Sequence, residues 1–290
     1  TNSILFCLEQ NKIELNDIEA VVFYEKPFLK FERLIKTYID FFPRGFNSFK
    51  AAMPIWSKEK LYQKKIINDY LTKISKKKFD KNKIKFSEHH LSHAASAFFP
   101  SPFEDSAIVV MDGVGEFVTT TIAKGHGNQI EILGEINFPD SLGLLYSAFT
   151  YFLGFKVNSD EYKVMGLAPY GDPKYSKLIK EYLINLKEDG SFQLNQDFFS
   201  YATDLVMTSP KFADLFKIKK REKNEEILPI HKDIAASIQE VSEEVIKKIS
   251  ITAKKITNSD NLCLAGGVAL NCVANGKIYQ DKIFDNIWIQ

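Results

Sequence analysis

The sequence has 290 residues, of which 45% are hydrophobic and 26% are charged, so a disordered or low-complexity chain is excluded and a large core is expected. Its 38 basic and 37 acidic side chains give a net charge of +1, which excludes a chain-wide field that attracts nucleic acid or anionic membranes. The three cysteines, Cys7, Cys263 and Cys272, are too scattered for a disulfide framework or a CxxC zinc site. We expect a cytoplasmic protein without a membrane-spanning segment.

The N-terminal third is predicted to be mostly helical. A helix over residues 4–10 leads to a β-branched run over 17–24 that is typical of a buried strand. Residues 28–78 have helical character with a break at 42–45, where Pro43 and Gly45 lie. A helix followed by a strand at the start of the chain indicates an α/β fold.

Residues 58–85 carry a local excess of positive charge, with 11 lysines against three acidic side chains. This segment has no arginines, and its three aromatic residues do not alternate with the lysines as they usually do on nucleic-acid surfaces. We therefore predict a solvated helix face. The alternative is a surface that binds tRNA or a scaffolding partner, and its affinity would fall steeply with salt.

The middle of the chain alternates strands, turns and helices. A short strand over 83–86 leads directly into a helix that begins at His89 and ends before Pro100. Three strands separated by glycine-containing turns are then predicted over 106–112, 116–123 and 129–136. This order predicts an antiparallel three-strand meander.

The second half of the chain predicts helices that cover a sheet. The predicted elements are a buried helix over 142–154, a loop over 161–171, a long helix over 231–257, a strand over 261–265, a helix over 268–279 and a strand over 284–290. The long helix has one apolar stripe, formed by Ile234, Ile238, Val241, Val245, Ile249, Ala253 and Ile256. The last strand has no polar tail after it, so we expect the chain to be part of a longer protein.

A candidate metal site is built from His89, His93 and Asp112. Residues four apart on a helix project from the same face, so both imidazoles can reach one ion, whereas His90 turns away. Asp112 ends an apolar strand, at the sheet edge where α/β proteins place ligands. Two histidines and one carboxylate suit a ferrous, zinc or manganese ion. The alternatives are helix capping or core hydrogen bonds for the histidines and an Asp-Gly turn for Asp112.

A second candidate site lies where the strand over 261–265 meets Gly266 and Gly267. Paired glycines before a helix let backbone N–H groups approach a phosphate or a nucleoside closely. The segment lacks the lysine of a P-loop and the third glycine of a dinucleotide-binding turn. A tight strand-to-helix turn is an equally good explanation of the two glycines.

Four segments resemble one known family in sequence and order. HHLSHAASAFFPSPF begins at His89, VVMDGVGE at Val109, YKVMGLAPYG at Tyr162 and LAGGVALNCVAN at Leu264. Together they closely resemble the O-carbamoyltransferase family of nodulation and antibiotic-tailoring enzymes. The resemblance is close from about residue 87 onward and loose over residues 1–80.

The resemblance implies an actin- or sugar-kinase-like fold with ribonuclease H-like lobes, similar to the universal tRNA threonylcarbamoyl-transfer protein. Residues 1–100 would complete a first lobe with a helical insertion, and residues 101–290 would form most of a second lobe. The family's opening strands, a further acidic ligand and a YrdC-like domain would lie outside this sequence. The chain alone is then expected to be inactive in the full reaction.

The resemblance also implies a reaction and a set of site residues. The YrdC-like domain would make carbamoyl adenylate from carbamoyl phosphate and ATP, and this part would transfer the carbamoyl group to a small-molecule hydroxyl at a divalent metal, with Fe²⁺ favoured. Matched motif by motif, it implies metal ligation by His89, His93 and Asp112, nucleotide contacts by Gly266, Gly267 and Asn271, and a phosphate or adenylate contact by Lys163. The alternative for Lys163 is a structural role beneath its loop.

Three questions stay open at the level of sequence. The metal could activate the carbamoyl group or hold the nucleotide phosphate, and the base for the acceptor hydroxyl could be His90, Asp112 or Glu116. A sugar-kinase-like ATPase of the same fold and a tRNA-modification component are alternative functions. A second copy of the chain is a further candidate partner.

Overall fold

The computed structural model describes residues 2–58, 60–75 and 78–290. Three positions of the predicted lysine-rich segment, Glu59, Lys76 and Lys77, therefore lie outside the described residues. The helices are α1 (Asn2–Asn11), α2 (Pro27–Asp40), α3 (Phe46–Lys58), α4 (Gln63–Ser75), α5 (His89–Phe98), α6 (Leu142–Phe152), α7 (Glu161–Leu167), α8 (Ser176–Tyr182), α9 (Pro210–Phe216), α10 (Pro229–Thr257) and α11 (Cys272–Gln280). The strands are β1 (Val21–Phe23), β2 (Ile84–Phe86), β3 (Asp105–Met111), β4 (Val118–His126), β5 (Gln129–Asn137), β6 (Ile184–Leu186), β7 (Phe192–Leu194), β8 (Asn261–Ala265) and β9 (Asn286–Ile289).

The main sheet has five strands in the order β5-β4-β3-β8-β9. The first three pair antiparallel, whereas β8 and β9 run parallel to β3. This arrangement confirms the predicted meander, the two later strands and the mixed α/β class. The final strand is shorter than predicted, because Phe284 is buried ahead of it and pairing begins at Asn286.

Strand β3 is apolar from Ala107 to Met111 because both of its faces are covered there. Val109 and Met111 point into the larger core beneath α6 and α10, and Ile108 and Val110 point into a smaller core beneath α5. Successive side chains of a strand alternate between faces, so a strand at the centre of such a sheet needs a continuous apolar run. The chain leaves this buried strand at Asp112.

The described residues up to Phe86 build a smaller unit around the parallel pair β1–β2. Its own apolar cluster contains Leu8, Leu15, Leu71, Phe79 and Ile84. The helical region predicted over 28–78 is divided between α2, α3 and α4, and Gly45 marks the first break with a positive φ of 86°.

Helix α10 begins two residues earlier than predicted and covers the larger core with the expected stripe. Six of the seven predicted stripe residues are buried, whereas Ile256 is exposed. The helix ends at Thr257 as predicted, and its C-terminal cap Asn258 has a left-handed backbone conformation. The prediction of burial at Ile256 is therefore wrong, because the buried stripe continues from Ala253 to Thr257, four residues further on, and Ile256 lies beside it.

Two other predictions are wrong in detail. Residues 161–171 form helix α7 and a short 3-10 turn instead of a loop, and Gly171 packs so closely that a Cβ would lie 2.2 Å from the carbonyl of Lys232. The single helix predicted over 268–279 is a 3-10 turn (Gly267–Leu270) followed by α11, with Asn271 as the cap. Gly266 and Gly267 are therefore not at the N-terminus of an α-helix.

Across residues 2–58, 60–75 and 78–290, each helix is too short or too polar to pass through a bilayer.

Candidate metal centre and adjoining cavity

Helix α5 directs its histidines in two directions. His90, Ala94 and Ala97 form its buried face, and His90 Nδ1 lies 2.9 Å from Thr121 Oγ1 on β4. Because residues 89 and 93 are one turn apart, their rings project together beside this buried face, toward the end of β3. The predicted pairing of His89 with His93 and the divergence of His90 agree with this geometry.

The structure brings His89, His93 and Asp112 together. His89 Nε2 lies 3.1 Å from Asp112 Oδ2 and 3.1 Å from His93 Nε2, and His93 Nε2 lies 3.8 Å from Asp112 Oδ2. Ligand atoms about 2.1 Å from one ion at tetrahedral angles are about 3.4 Å apart. One cation could therefore contact all three atoms without a change of backbone.

The same three side chains fit a cation better than they fit hydrogen bonds alone. A neutral His89 Nε2 can donate to Asp112 only if it carries the proton, and it can accept from His93 only if it does not. The Nε2 of a neutral imidazole therefore has at most one proton to share between two neighbours at 3.1 Å, which is weaker than two separate hydrogen bonds. A divalent ion would use the lone pair of each nitrogen and the charge of the carboxylate.

Asp112 is kept ionised by its surroundings. Burial alone would raise the pKa of this carboxyl group, but the hydrogen bond from His89, the nearby ring of His93 and the backbone of Gly113 and Gly267 hold the pKa far below its usual range. Gly267 N donates to Asp112 Oδ1 at 3.3 Å, so the turn after β8 contacts the same carboxylate. The two predicted sites are therefore adjacent and share Asp112.

A cavity of about 660 Å³ opens beside this cluster, and Asp112 forms part of its wall. Much of the remaining wall is apolar or aromatic, and it includes Leu144, Tyr146, Met165 and Leu270. None of the described residues that line the cavity is a lysine or arginine. A ligand of this cavity would therefore place a neutral or positively charged part, rather than a phosphate chain, against these walls.

The turn after β8 has a structural reason for its first glycine. Gly266 has φ +89°, and a Cβ on it would lie 2.3 Å from the carbonyl oxygen of Met111. Gly267 and Asn271 line the cavity, whereas Gly266 does not. Asn271 Oδ1 caps α11 by accepting from Ala274 N at 3.1 Å, and its amide also pairs with Gln239 at 3.0 Å. A nucleotide contact by these residues stays a prediction.

Lys163 is not brought to the cavity. Its side chain lies on an exposed face of α7, where Nζ pairs with Asp160 at 2.9 Å. Glu161, which sequence reasoning missed, lines the cavity instead, and its Oε1 accepts from Ser147 Oγ at 2.9 Å and from Asn158 N at 2.8 Å. Assignment of residues 161–167 to a helix would have indicated Glu161 instead of Lys163, because helical positions 161 and 163 face different directions.

Two of the three candidate bases are directed into the protein. His90 is buried, and burial lowers its pKa to about 4. Glu116 is 6% exposed, and both of its carboxylate oxygens accept backbone N–H groups. Asp112 is the candidate that lines the cavity.

Comparison with known proteins gives one family. The family model described as carbamoyltransferase N-terminus matches residues 1–290. An uncharacterized protein of Synechocystis sp. is 54% identical over 291 residues, which is 100% of this chain and 47% of that protein. Nodulation protein NolNO of Sinorhizobium fredii is 34% identical over 288 residues, which is 99% of this chain and 39% of that protein.

Two further similarities are more limited. Nodulation protein NolO of Bradyrhizobium diazoefficiens is 38% identical over 205 residues, which is 70% of this chain and 35% of that protein. The chain therefore spans less than half the length of these curated relatives. The crystal structure of T. kodakarensis HypF is similar with a TM-score of 0.37 and 16% identity, over 76% of this chain and 35% of that one, which is too distant to assign a fold or a function.

Proposed function

Because the chain belongs to the carbamoyltransferase N-terminus family, we propose that it is the metal-binding part of an O-carbamoyltransferase that acts on a small-molecule hydroxyl. The observation that carries this proposal is the convergence of His89, His93 and Asp112 on one point at the wall of a 660 Å³ cavity. The similarity to nodulation proteins NolNO and NolO supports a transferase of this kind.

The route to the carbamoyl donor is part of the proposal. We infer that carbamoyl phosphate and ATP are converted to carbamoyl adenylate by a YrdC-like domain in the remainder of the protein. The chain spans 47% or less of its curated relatives, which leaves room for such a domain. We also propose that the protein is cytoplasmic, where both substrates are made, and that it assembles with a second copy of itself.

The proposed fold is an actin-like pair of lobes. Support comes from the five-stranded sheet, in which a meander is extended by two parallel strands on the side of β3. We place residues 101–290 in one lobe, with the sheet and α10, and residues 1–100 in the other, with the parallel pair β1–β2. This division places the candidate metal ligands on both sides of the boundary between α5 and β3.

The reaction breaks one C–O bond and forms another at the carbamoyl carbon. The acceptor oxygen attacks that carbon and loses its proton to a base, and the bond to the adenylate phosphate breaks, so that AMP leaves with the electron pair. A divalent ion bound by His89, His93 and Asp112 would supply Lewis-acid stabilisation of developing negative charge.

The chain's own residues orient the participants and limit hydrolysis. Asp112 is fixed by the Gly267 N–H and by the histidines, so its position is set before a substrate arrives. The apolar side chains of Leu144 and Leu270 form part of the wall, and they would exclude water that competes with the acceptor hydroxyl. In this proposal Gly267 and Asn271 contact the nucleoside, and Gly266 shapes the turn that presents them.

Metal analysis tests the proposed centre directly. The chain is purified anaerobically with Fe²⁺ and compared with its His89→Ala and Asp112→Ala variants. We expect about one ion per wild-type chain and a loss of at least 10-fold in affinity in either variant, because two ligands hold an ion far less well than three. His126→Ala, which removes an exposed histidine outside the cluster, is the control and should retain the metal. Equal metal in all four proteins contradicts the proposal.

Ligand binding then distinguishes a carbamoyltransferase from a kinase-like ATPase. The probe is 5′-O-(N-carbamoylsulfamoyl)adenosine, a stable analogue of carbamoyl adenylate, measured by calorimetry on the metal-loaded chain. We expect the analogue to bind more tightly than ATP, since no described cationic side chain lines the cavity to receive a triphosphate. Tighter binding of ATP contradicts the transferase proposal and supports the kinase-like alternative.

A further inference from the structure

We propose that Glu116 is a positioning residue that fixes the metal-binding histidines against Asp112. The residue is 6% exposed, and its carboxylate is directed at the first turn of α5 rather than at the cavity. This inference rests on the proposed metal centre, and it assigns Glu116 a role other than that of general base.

The contacts of Glu116 tie three segments together. Its Oε2 accepts from His89 N at 3.0 Å, and its Oε1 accepts from His89 N at 3.1 Å and from Lys26 N at 2.7 Å. His89 is the first residue of α5, and Lys26 is the cap residue of α2. One buried carboxylate therefore binds the beginnings of two helices.

Helix α5 depends on this distant residue because its own cap is not used. Glu88 occupies the cap position, but its side chain makes no capping bond and pairs with Lys26 Nζ at 2.7 Å instead. The first N–H groups of a helix have no partner within the helix, and a carboxylate there is favoured by the helix dipole. Glu116 supplies both the acceptor and the charge.

The placement of Glu116 couples it to the ligand set. Glu116 and Asp112 lie on the same connection between β3 and β4, so one short segment provides a metal ligand and also holds the helix that provides the other two. Arg33 stabilises this connection by donating to the Gly115 carbonyl at 2.7 Å, and a Cβ at Gly115 would lie 3.1 Å from His89 Cβ. The separation between His89 and Asp112 is thus set by contacts on both sides.

The consequence is a defined effect on metal affinity. Removal of Glu116 leaves all three ligands in place, but the first turn of α5 is no longer held. Binding of the ion must then also order this turn, which lowers the metal affinity. Outer residues that orient metal ligands commonly change affinity by about 10- to 100-fold. The same range is expected for Glu116.

The test measures Co²⁺ binding to the whole chain by titration and by the d–d absorption spectrum, without any assay of activity. Glu116→Gln keeps the shape and one accepting oxygen, and Glu116→Ala removes both oxygens. Glu88→Gln is the matched control, because it removes a negative charge beside the same helix without removing a backbone contact. Circular dichroism and thermal unfolding of each apo-protein verify the fold.

We expect the Co²⁺ dissociation constant to rise about 10-fold or more for Glu116→Gln and further for Glu116→Ala, with altered d–d bands. Glu88→Gln should change it less than about 2-fold, as expected for an exposed charge in high dielectric. The inference about Glu116 is overturned if wild type and both Glu116 variants have equal affinity, or if Glu88→Gln causes an equal loss. Either result leaves the proposed metal centre in place. A wild-type chain that binds no Co²⁺ overturns the proposed metal centre as well.

Discussion

His90 and Thr121 form a contact that separates the buried side of α5 from its metal-binding side. The hydrogen bond between His90 Nδ1 and Thr121 Oγ1 measures 2.9 Å, and both residues are buried. A buried polar atom that loses its partner costs more free energy than the bond itself contributes, because it has already lost water. This bond therefore anchors the helix without contributing a ligand.

Replacement of Thr121 by valine should lower the free energy of unfolding by about 1–3 kcal/mol, because the shape is kept while His90 Nδ1 loses its partner. Urea denaturation of the apo-protein measures the change. Thr120→Val is the control on the adjacent residue, since Thr120 is buried and its Oγ1 has no hydrogen-bond partner among the described residues. That variant should be neutral or more stable. A larger loss for Thr120→Val than for Thr121→Val would contradict the expectation.

Single residues of the candidate centre were predictable where the signal was local. The interval of four between His89 and His93 and the position of Asp112 at a strand end depend only on helix and strand geometry. The role of Glu116 depends on a contact across 27 residues of sequence, which no local pattern encodes. The position of Lys163 was likewise not predictable, because the direction of its side chain depends on α7, and this segment was predicted to be a loop.

Elements with one strong period were predicted well, and those shaped by close packing were not. Strand β3 follows from an apolar run and helix α10 from an apolar stripe, whereas helix α5 follows from its alanine-rich segment and the proline after it. Helix α7 is only seven residues long and is followed by Pro169 and Gly171, which locally favour a loop. It exists because Val164 is buried in the larger core near α10, so tertiary packing overrides local preference.

The turn between β8 and α11 should tolerate no side chain at position 266. We expect Gly266→Ala to lower the free energy of unfolding by about 2–4 kcal/mol, because the residue has a positive φ and its Cβ would collide with the Met111 carbonyl. Gly276→Ala on α11 is the matched control, because no atom lies within 4 Å of the added Cβ. That variant should gain up to about 1 kcal/mol from helix propensity. Equal unfolding midpoints for the two variants would refute this account of the turn.

The start of α10 should make stability depend on pH. His231 is buried and its Nδ1 accepts from Leu228 N at 3.0 Å, and burial together with the nearby Arg221 lowers its pKa, which Glu225 partly offsets. Below about pH 6.5 the unfolded chain then binds a proton that the folded chain does not, so the free energy of unfolding falls as pH decreases.

His231→Asn keeps an acceptor without a titrating group, and we expect its stability to fall less than that of wild type between pH 7 and pH 5. The difference in slope is at most one proton, or about 1.4 kcal/mol per pH unit. Urea denaturation of the apo-proteins across this range measures it. An unchanged slope in His231→Asn would show that the histidine titrates normally in the folded state.

At the scale of the whole molecule, the cores differ greatly in size. The larger cluster joins the main sheet to α6, α7, α10 and α11, whereas the N-terminal cluster has only a few buried side chains among the described residues, around β1–β2 and α4. Apolar burial is the main favourable contribution to folding, so regions with less of it open at lower free energy. Hydrogen bonds of Glu116 and Arg33 connect the N-terminal helices to the connection between β3 and β4 of the main sheet.

This asymmetry predicts two levels of hydrogen exchange. Amides of α4 and β2 should exchange through a local opening, whereas those of β3, β8 and α10 should exchange only through global unfolding. Phe79→Ala, in the N-terminal cluster, should then speed exchange in α4 and β2 and leave β3 nearly unchanged. Phe149→Ala, in the larger core, should lower global stability by about 3–5 kcal/mol and speed exchange in β3 and α10.

The comparison of these two variants also bears on the proposed division into lobes. If residues 1–100 and 101–290 are separate folding units, α5 belongs to the first by sequence but packs on the sheet of the second. We expect its amides to follow the larger core, because Ala94, Ala97 and Phe98 are buried against β3 and β8. Faster exchange of α5 in Phe79→Ala would instead show that the metal-binding histidines move with the N-terminal unit, and the ligand set would then span a mobile boundary.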